Sequence, residues 1–358
     1  MSTFTYMVHL CRVRPSGQPF LVLSPENPTS SGQAAVPPRP RLSSAQGDKD
    51  APVRIIRGDN AAALTCLGDD PEVRGQVTFA YLDPPFWTGR PHRVLDRAPR
   101  GGDVAFDDRW PSLSDYLAHL RGRLEKVRDL LAPHGSLVVH VDPKTSHYIK
   151  VLLDELFGID AFASEVVWRY RRWPSKTRNF QKVHDVMLRY VKDPTVEPRY
   201  NQLFEPLAAS TLKTWGDKKQ RAVVDESGKR LRSSTTPEAS PGVPLGDVWE
   251  IGIVAPVSKE RTGYPTQKPL ALLRRWLEAC TNPGDLVLDP YMGSGTTLLA
   301  AAELGRRAIG IDEGDASHAI CRERLAAAGY GLQTQELIFS RPLATPRATK
   351  RALSATGS

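Results

Sequence analysis

The chain has 358 residues, of which 40% are hydrophobic and 25% charged, so a folded core is expected and wholesale disorder is excluded. The formal net charge of +8 favours an acidic partner such as nucleic acid, with a basic surface that has no special partner as the plainer alternative. The four cysteines lack metal-ligand spacing, and neither a membrane span nor a secretory leader is recognisable. We therefore expect a cytoplasmic protein with no metal site and no membrane contact.

Both ends of the chain are predicted to lie outside the folded core. Residues 24–52, the larger part of a predicted arm over 1–52, are rich in proline, serine, glycine and alanine, which bury too little apolar surface to offset their ordering entropy. We predict a flexible arm there, with at most a short strand at 19–23. Residues 341–358 carry arginine and lysine but no acidic side chain, which predicts a basic tail.

Between these ends, strands and helices alternate. Apolar runs and helical spacing predict strands at 53–57, 77–82, 136–141, 285–289 and 307–311, and helices at 114–131, 145–157, 268–280, 296–304 and 315–328. Ser114 is expected to cap the first helix, and Pro133 and Gly135 to end it. Such alternation predicts an α/β fold, a mainly parallel sheet with helices on both faces and ligands at the carboxyl ends of its strands.

Two regions depart from this alternation. Segments 164–170 and 185–191 are expected to pair with each other as strands. Residues 200–247 are polar, irregular and basic, and within them 221–232 predict a hairpin with Asp225–Gly228 at its turn. We interpret the second region as an insertion on the α/β core.

The segment YLDPPF (81–86) directly follows an apolar strand. Pro84 and Pro85 fix φ and lack amide hydrogens, so they stiffen the backbone and turn its carbonyls outward. The Asp83 carboxylate and the Pro84 carbonyl could then accept both hydrogens of one amino group, while the Phe86 ring lies against a flat base. This arrangement would aim the nitrogen lone pair at an electrophile. The alternative is a strand-ending turn whose aspartate caps a helix.

A glycine loop follows the strand at 285–289, in DLVLDPYMGSGTT (285–297). Gly293 and Gly295 permit close approach of a ligand to the backbone, and the next helix begins facing it. About twenty residues later a strand ends at Asp312, which could accept hydrogen bonds from ribose hydroxyls. Because Thr296 stands where a P-loop needs lysine, and no third glycine follows, ATP and NAD are disfavoured. A nucleoside with a cationic sulfur and an amino-acid tail remains, with a tight turn that binds nothing as the alternative.

Together these motifs resemble the DNA amino-methyltransferases, specifically the permuted beta group in which the catalytic motif precedes the cofactor loop. The resemblance covers residues 53–330 and rests on RGDN (57–60), LDPPF (82–86), LLAPHGSLVVHVD (130–142), EVVWRY (165–170), GYPTQKP (263–269) and DPYMGSGTT (289–297), in the family's order. It implies a Rossmann-like, circularly permuted methyltransferase sheet. The catalytic half would be 53–199, the target-recognition insertion 200–248 and the cofactor-binding half 249–340.

The resemblance also assigns functional residues of the family to the matching positions of this chain. At the target amine the resemblance implies Asp83, Pro84, Pro85 and Phe86. Around S-adenosylmethionine it implies Asp59, Thr266, Lys268, Asp289, Tyr291, Gly293, Ser294, Gly295, Thr296 and Asp312. Tyr264, Tyr291 and Phe86 depart from the commoner residues of the family but keep an aromatic ring. His140 and Asp142 are expected to pack beside Asp83 rather than to bind metal.

The resemblance implies a site-specific methyltransferase that acts on the N6 amine of adenine in duplex DNA. A leading aspartate in the catalytic loop favours adenine, and N4 of cytosine is the nearest alternative. An amine or amide of protein or RNA, or a catalytically dead DNA-binding protein, is a more distant one. A restriction endonuclease partner and a homodimer stay open.

Residues 168–184 (WRYRRWPSKTRNFQKVH) combine basic and aromatic side chains without an acidic one. This composition suits phosphate contact and base stacking. The candidate DNA contacts are Arg169, Arg171, Arg172, Lys176, Arg178 and Lys182. The alternative is a solvated loop with Trp168 and Trp173 buried. A target base inside a duplex would have to flip out to reach Asp83.

Overall fold

A computed structural model describes residues 39–48, 50–94, 104–174, 176, 178–221, 223–231 and 234–339. The strand considered at 19–23, most of the N-terminal arm and the basic tail therefore lie outside the described residues. None of the described helices combines the length and apolar character needed to cross a bilayer.

The strands and helices follow each other along the whole described chain. The strands are β1 (Pro40–Leu42), β2 (Gln46–Gly47), β3 (Val53–Arg57), β4 (Val77–Leu82), β5 (Pro91–Arg93), β6 (Val104–Asp107), β7 (Leu131–Val141), β8 (Phe162–Arg169), β9 (His184–Val191), β10 (Phe204–Glu205), β11 (Lys218–Arg221), β12 (Ser234–Ala239), β13 (Val243–Pro244), β14 (Val248–Glu250), β15 (Leu286–Asp289), β16 (Arg307–Asp312) and β17 (Leu332–Phe339). The helices are α1 (Asn60–Gly68), α2 (Leu113–Leu130), α3 (Ser146–Phe157), α4 (Ala209–Trp215), α5 (Leu270–Cys280), α6 (Thr296–Glu303) and α7 (Asp315–Ala327).

One large sheet organises the described residues, with strand order β1-β17-β3-β16-β15-β4-β7-β9-β8-β14 and β2 on the side of β17. From β17 to β7 each neighbouring pair is parallel, whereas β9 runs antiparallel between β7 and β8. The predicted α/β fold and the pairing of 164–170 with 185–191 are confirmed. Because β15 lies beside β4, the two halves of the chain meet at the centre of the sheet.

Helices cover both faces of this sheet. Along β4, Ala80 and Leu82 pack on the side of α1, α2 and α3, while Phe79 and Tyr81 pack on the side of α5, α6 and α7. This alternation follows from the period of two along a strand, and both faces of β4 are fully buried. A strand buried on both faces reads as a continuous apolar run, which is why 77–82 could be predicted.

The start of α2 differs from the prediction. Ser112, not Ser114, is the cap residue, and its hydroxyl accepts a hydrogen bond from the Asp115 amide at 3.1 Å. The hydroxyl also donates to the Asp115 carboxylate at 2.6 Å, which ties the first turn together. Pro133 and Gly135 were expected to end α2, but the helix stops at Leu130 and β7 begins at the next residue.

The N-terminal arm was predicted to extend to residue 52, and this is wrong for its last part. Strand β1 pairs antiparallel with β17, and β2 pairs with the same strand. Ser43 strengthens the connection, since its hydroxyl accepts from the Glu336 amide at 2.9 Å and its carbonyl accepts from the Gln335 side chain at 3.0 Å. The residues from Pro40 onward are therefore an edge of the sheet.

The inserted region carries short elements that lie apart from the large sheet: β10 pairs with β13 and β11 with β12. The predicted turn is present, because the Asp225 carboxylate accepts from the Ser227 and Lys229 amides at 3.0 and 2.9 Å. A bridge between Val224 and Arg230 closes a short hairpin around it. Most described side chains of this region are exposed.

Candidate active site

A cavity of about 310 Å³ opens at the carboxyl ends of β3, β4, β15 and β16, within the size range of small-molecule sites. The residues singled out from the sequence that line it are Asp59, Asp83, Pro84, Pro85, Phe86, Thr266, Lys268, Asp289, Tyr291, Gly293, Ser294, Thr296 and Asp312. Gly295 lies just behind this lining, against Cys321. The structure thus brings the Asp-Pro-Pro loop and the glycine loop to one place.

Asp83 follows β4 directly and sits at the floor of this cavity. Its Oδ2 accepts a hydrogen bond from the Lys268 ammonium group, which reaches it from the segment before α5. Its Oδ1 is buried and has no hydrogen-bond partner, and it lies 4.0 Å from His140 Nδ1. An unpartnered buried carboxylate oxygen is costly, so this atom is suited to accept a hydrogen from a ligand.

Phe86 forms one wall beside Asp83. Its ring centroid lies 5.6 Å from that of His140, with the planes tilted by 42°. The Lys268 ammonium lies over the Phe86 ring, 5.2 Å from its centroid. A flat ring beside a hydrogen-bond acceptor is the combination that was expected for holding a base.

The glycine loop is fixed to the strand that follows it. The Gly293 amide donates to Asp312 Oδ2 at 3.1 Å, and the Met292 amide donates to the Ile311 carbonyl at 3.1 Å. Asp312 Oδ1 accepts from the Gly314 amide at 2.8 Å and the Ser317 hydroxyl at 2.6 Å. Oδ2 therefore keeps a free lone pair, because each carboxylate oxygen offers two acceptor sites.

Carboxylates surround the loop. Asp289 is 2% exposed, and its burial raises the pKa of its carboxyl to about 7. Burial also raises the pKa of Asp312. Asp59 caps α1 by accepting from the Ala62 amide at 2.9 Å, and it pairs with Arg123 at 2.9 Å. A cavity lined by this many acids favours a ligand that carries positive charge.

Gly295 provides a test of how tightly this loop packs. Its φ is +74°, and a Cβ atom would lie 2.4 Å from Cys321 Sγ. We expect Gly295→Ala to lower the free energy of unfolding by about 2–4 kcal/mol, because overpacking adds to backbone strain. Gly329 has a similar φ of +80° with open space around it, so Gly329→Ala should cost only about 1 kcal/mol. Urea unfolding of both variants measures the difference, and equal costs would contradict the packing argument.

Known proteins match most of this chain. Residues 77–323 match the N6_N4_Mtase family, described as DNA methylase. The Type II methyltransferase M.EcaI of Enterobacter cloacae is 30% identical, covering 73% of this chain and 67% of that protein. M.HpaI of Haemophilus parainfluenzae, also a Type II methyltransferase, is 31% identical over 76% of this chain and 74% of that protein. The DNA adenine methyltransferase YhdJ of Escherichia coli K12 is 30% identical over 72% of this chain and 77% of that protein.

This chain is a member of the DNA methylase family. The match begins at the first residue of β4 and ends in α7, so it includes both loops that meet in the cavity. Family membership confirms the resemblance that the motifs indicated.

Behind Asp83, this DNA methylase has a buried hydrogen-bonded network that the sequence did not reveal in full. His140 is fully buried, its Nδ1 lies 2.7 Å from the Tyr81 hydroxyl and its Nε2 lies 3.4 Å from Asp185. Burial, and next the Lys268 charge, lower the pKa of His140. A neutral ring with its proton on Nε2 satisfies both contacts. His140 thus supports the Asp83 side of the cavity, as expected, and Asp142 instead pairs with Lys182.

Another part of the cavity wall comes from the residues between β4 and α2. Asp108 is fully buried and accepts from the Trp87 and Thr88 amides at 2.8 and 2.7 Å and from the Trp110 indole at 3.2 Å. Its carboxylate therefore holds the start of this segment against its end. No sequence pattern singled Asp108 out, because the fold brings its partners to it, the Trp110 indole as well as the two backbone amides.

Helix α2 contributes another part of the cavity wall that was not predicted from the sequence. His119 Nε2 lies 3.3 Å from the Tyr291 hydroxyl, and Arg123 bonds to Asp59. Burial, with the Arg123 charge, lowers the pKa of His119 to about 4, so this ring is neutral at pH 7. Both residues occupy the polar side of an amphipathic helix, and that position is the signal that could have found them.

The six candidate DNA contacts divide into two groups. Arg171, Arg172, Lys176 and Arg178 are exposed on the connection between β8 and β9. Arg169 instead pairs with Glu250, and Lys182 pairs with Asp142 and with Asp185 at 3.1 Å. The alternative, a solvated loop with Trp168 and Trp173 buried, is wrong for Trp173: Trp168 is buried, but Trp173 is 89% exposed, and Phe180 is 98% exposed.

Proposed function

We propose that this DNA methylase transfers a methyl group from S-adenosylmethionine to the N6 amine of adenine in double-stranded DNA. The observation that carries the proposal is that Asp83 and the glycine loop line a single cavity. YhdJ, a relative at 30% identity, is named as a DNA adenine methyltransferase, which favours adenine over cytosine. The same geometry would serve the N4 amine of cytosine, and identification of the methylated nucleoside distinguishes the two bases.

The cavity suits the proposed cofactor in shape and charge. A Cβ atom at Gly293 would lie 3.0 Å from the Tyr264 ring, so glycine keeps this part of the cradle open. Asp312 would hold the ribose hydroxyls, and Asp59, Thr266, Lys268, Asp289, Tyr291, Ser294 and Thr296 would complete the lining. When bound, the cofactor supplies an electrophilic methyl group on a cationic sulfur. The acidic lining is complementary to that positive charge.

The residues of the chain prepare the base amine. The Asp83 carboxylate and the Pro84 carbonyl accept its two hydrogens, which turns the nitrogen lone pair away from the ring and toward the methyl donor. Phe86 stacks on the flipped base, and the buried His140 network supports the floor of the cavity. Catalysis is then mainly alignment and electrostatics.

We further propose that the basic loop 171–183 contacts DNA and that the insertion 200–248 recognises the target sequence. Exposed arginines beside the exposed rings of Trp173 and Phe180 suit phosphate contact and base stacking. We also propose a restriction endonuclease partner, because two of the relatives are Type II methyltransferases. A homodimer is part of the same proposal.

The loop can be tested by salt dependence. Replacing Arg171 and Arg172 together with glutamine should reduce the slope of log K against log salt by about 2, since each lost phosphate contact removes about 0.9. Arg169→Gln is the matched control, because Arg169 is held by Glu250 and should change the slope less. Fluorescence anisotropy with duplex DNA measures both slopes. Equal slopes for the wild type and the double variant would remove this loop from the DNA surface.

The proposed function is tested by incubating the wild-type protein with labelled S-adenosylmethionine and unmethylated genomic DNA, followed by nucleoside mass spectrometry. N6-methyladenine is the expected product. N4-methylcytosine would keep the mechanism and change the base, whereas label that enters RNA or protein but not DNA would overturn the proposal. Sequencing the modified DNA also identifies the recognition site.

A further inference from the structure

Lys268 contacts both parts of the proposed base site, the Asp83 carboxylate and the Phe86 ring. Its ammonium group donates to Asp83 Oδ2 and lies over the face of the Phe86 ring. The second oxygen, Asp83 Oδ1, is buried and unpartnered. While Lys268 stays in this position, Asp83 Oδ2 and one face of the Phe86 ring are taken, so a base must compete with the ammonium group for this site.

The backbone that carries Lys268 is fixed, so only its side chain can move. The Gln267 carboxamide accepts from the Thr262 amide and hydroxyl, both at 2.9 Å, and donates to the Glu260 carbonyl at 2.7 Å. The Glu260 carboxylate accepts from the Leu270 amide at 2.6 Å. These bonds bracket Lys268 on both sides. A lysine on a four-carbon stem can nevertheless swing its ammonium group by several ångströms through rotamer changes.

The cavity itself indicates what would draw the ammonium group away. Among the described residues that line it, the lysine and arginine side chains are Lys268 and Arg123, and the Arg123 guanidinium is held at once by Asp59, Asn60 and the His119 carbonyl. The other charged lining groups named above are acids. A ligand with a carboxylate thus finds its available cation in Lys268, and the amino-acid tail of S-adenosylmethionine carries such a carboxylate.

We propose that Lys268 closes the base site in the free protein and that the cofactor's carboxylate draws it off Asp83, so that the target base enters after the cofactor. This inference rests on the proposed function. The exchange replaces one carboxylate partner of Lys268 with another, and the base amine then gives Asp83 the hydrogens that it loses, so neither charge is left unpartnered once both ligands are bound. The two positions can therefore be close in free energy, which is the condition under which a ligand shifts the population between them.

Base flipping and ligand binding together test the inference. The substrate is a duplex with 2-aminopurine at the target position identified by sequencing. The matched ligands are S-adenosylhomocysteine, which has the amino-acid carboxylate, and 5′-methylthioadenosine, which lacks it. With the wild type we expect the fluorescence rise on flipping to be about fivefold larger with S-adenosylhomocysteine than with methylthioadenosine. Calorimetry should show a preference for S-adenosylhomocysteine of about tenfold or more.

Three variants separate a mobile ammonium group from a static pair. Lys268→Ala should flip the base equally with either ligand or with none, and it should lose the preference for S-adenosylhomocysteine. Lys268→Arg keeps the charge and should keep the dependence on ligand. Lys259→Ala removes an exposed lysine outside the cavity and should behave as the wild type. Thermal melting of each variant verifies folding.

The outcomes also separate this inference from the proposed function. Methyl transfer by the same wild-type preparation tests the function directly. If transfer occurs but flipping in the wild type is equal with both ligands and without any, the inference is overturned and the function stands. If no methyl group reaches DNA, both fail together. Ligand-dependent flipping that survives in Lys268→Ala would assign the coupling to another residue and overturn the inference as well.

Discussion

Asp83→Ala should lower the rate of methyl transfer by up to about 10³-fold, with the change mainly in kcat. Loss of a charged acceptor aimed at the reacting amine typically costs about 3–4 kcal/mol of transition-state stabilisation. Asp83→Asn keeps one carbonyl oxygen at the same place and should lose less, about 10²-fold, because an amide can still accept one amine hydrogen. Single-turnover transfer of labelled methyl to DNA measures both variants.

The control must account for Lys268, which loses its partner in both variants. We expect each variant to bind S-adenosylhomocysteine within a few-fold of the wild type and to melt cooperatively, so that a loss of rate reports the acceptor. Asp193→Ala removes a partly exposed carboxylate that follows β9 at the end of the sheet opposite the cavity, and it should leave the rate unchanged. A full rate in Asp83→Ala would exclude this carboxylate from the chemistry.

Much of the fold was predictable because its signals are local. The strand at 77–82 was predicted with its observed bounds, and the helix predicted at 296–304 differs by one residue. Strand β17 was missed because it depends on distant partners, with Arg41 pairing opposite Ile338. The cap of α2 was placed at Ser114, although Asp115 follows Ser112 by three residues and marks Ser112 as the cap.

Part of the site was likewise predictable from the sequence, and part was not. Asp83, Gly293 and Asp312 follow strands that run parallel, so their meeting at one sheet edge follows from the topology. The bond between Lys268 and Asp83 joins residues on distant segments, and nothing local to either one specifies it. Tyr81, His140 and Asp185 likewise come from three different strands, so their network becomes visible only when β4, β7 and β9 are paired.

Asp289→Asn should stabilise the free protein at pH 8 by up to about 4 kcal/mol, and much less at pH 5. The folded-state pKa of Asp289 is raised to about 7 by burial, against about 3.9 in the unfolded chain. Below pH 4 both states hold the proton. Between pH 4 and 7 only the folded state holds it, so the stability that this proton provides is lost as pH rises, at about 1.4 kcal/mol per unit. Above pH 7 the full cost of burying the charge is present.

Asparagine resembles the protonated acid and can still accept from the Tyr291 amide, which donates to Asp289 at 3.0 Å. The difference in unfolding free energy between Asp289→Asn and the wild type should therefore grow from pH 4 to pH 7 and then level off, as measured by urea unfolding without ligand. Asp193→Asn is the matched control. Hydrogen bonds from Thr195 lower the pKa of Asp193, so it is ionised in both states at pH 5 and at pH 8 and its effect should not change between them. A constant difference for Asp289→Asn across the same range would mean that Asp289 stays charged in the folded protein, and the acidic lining would then hold its full negative charge before any cationic ligand binds.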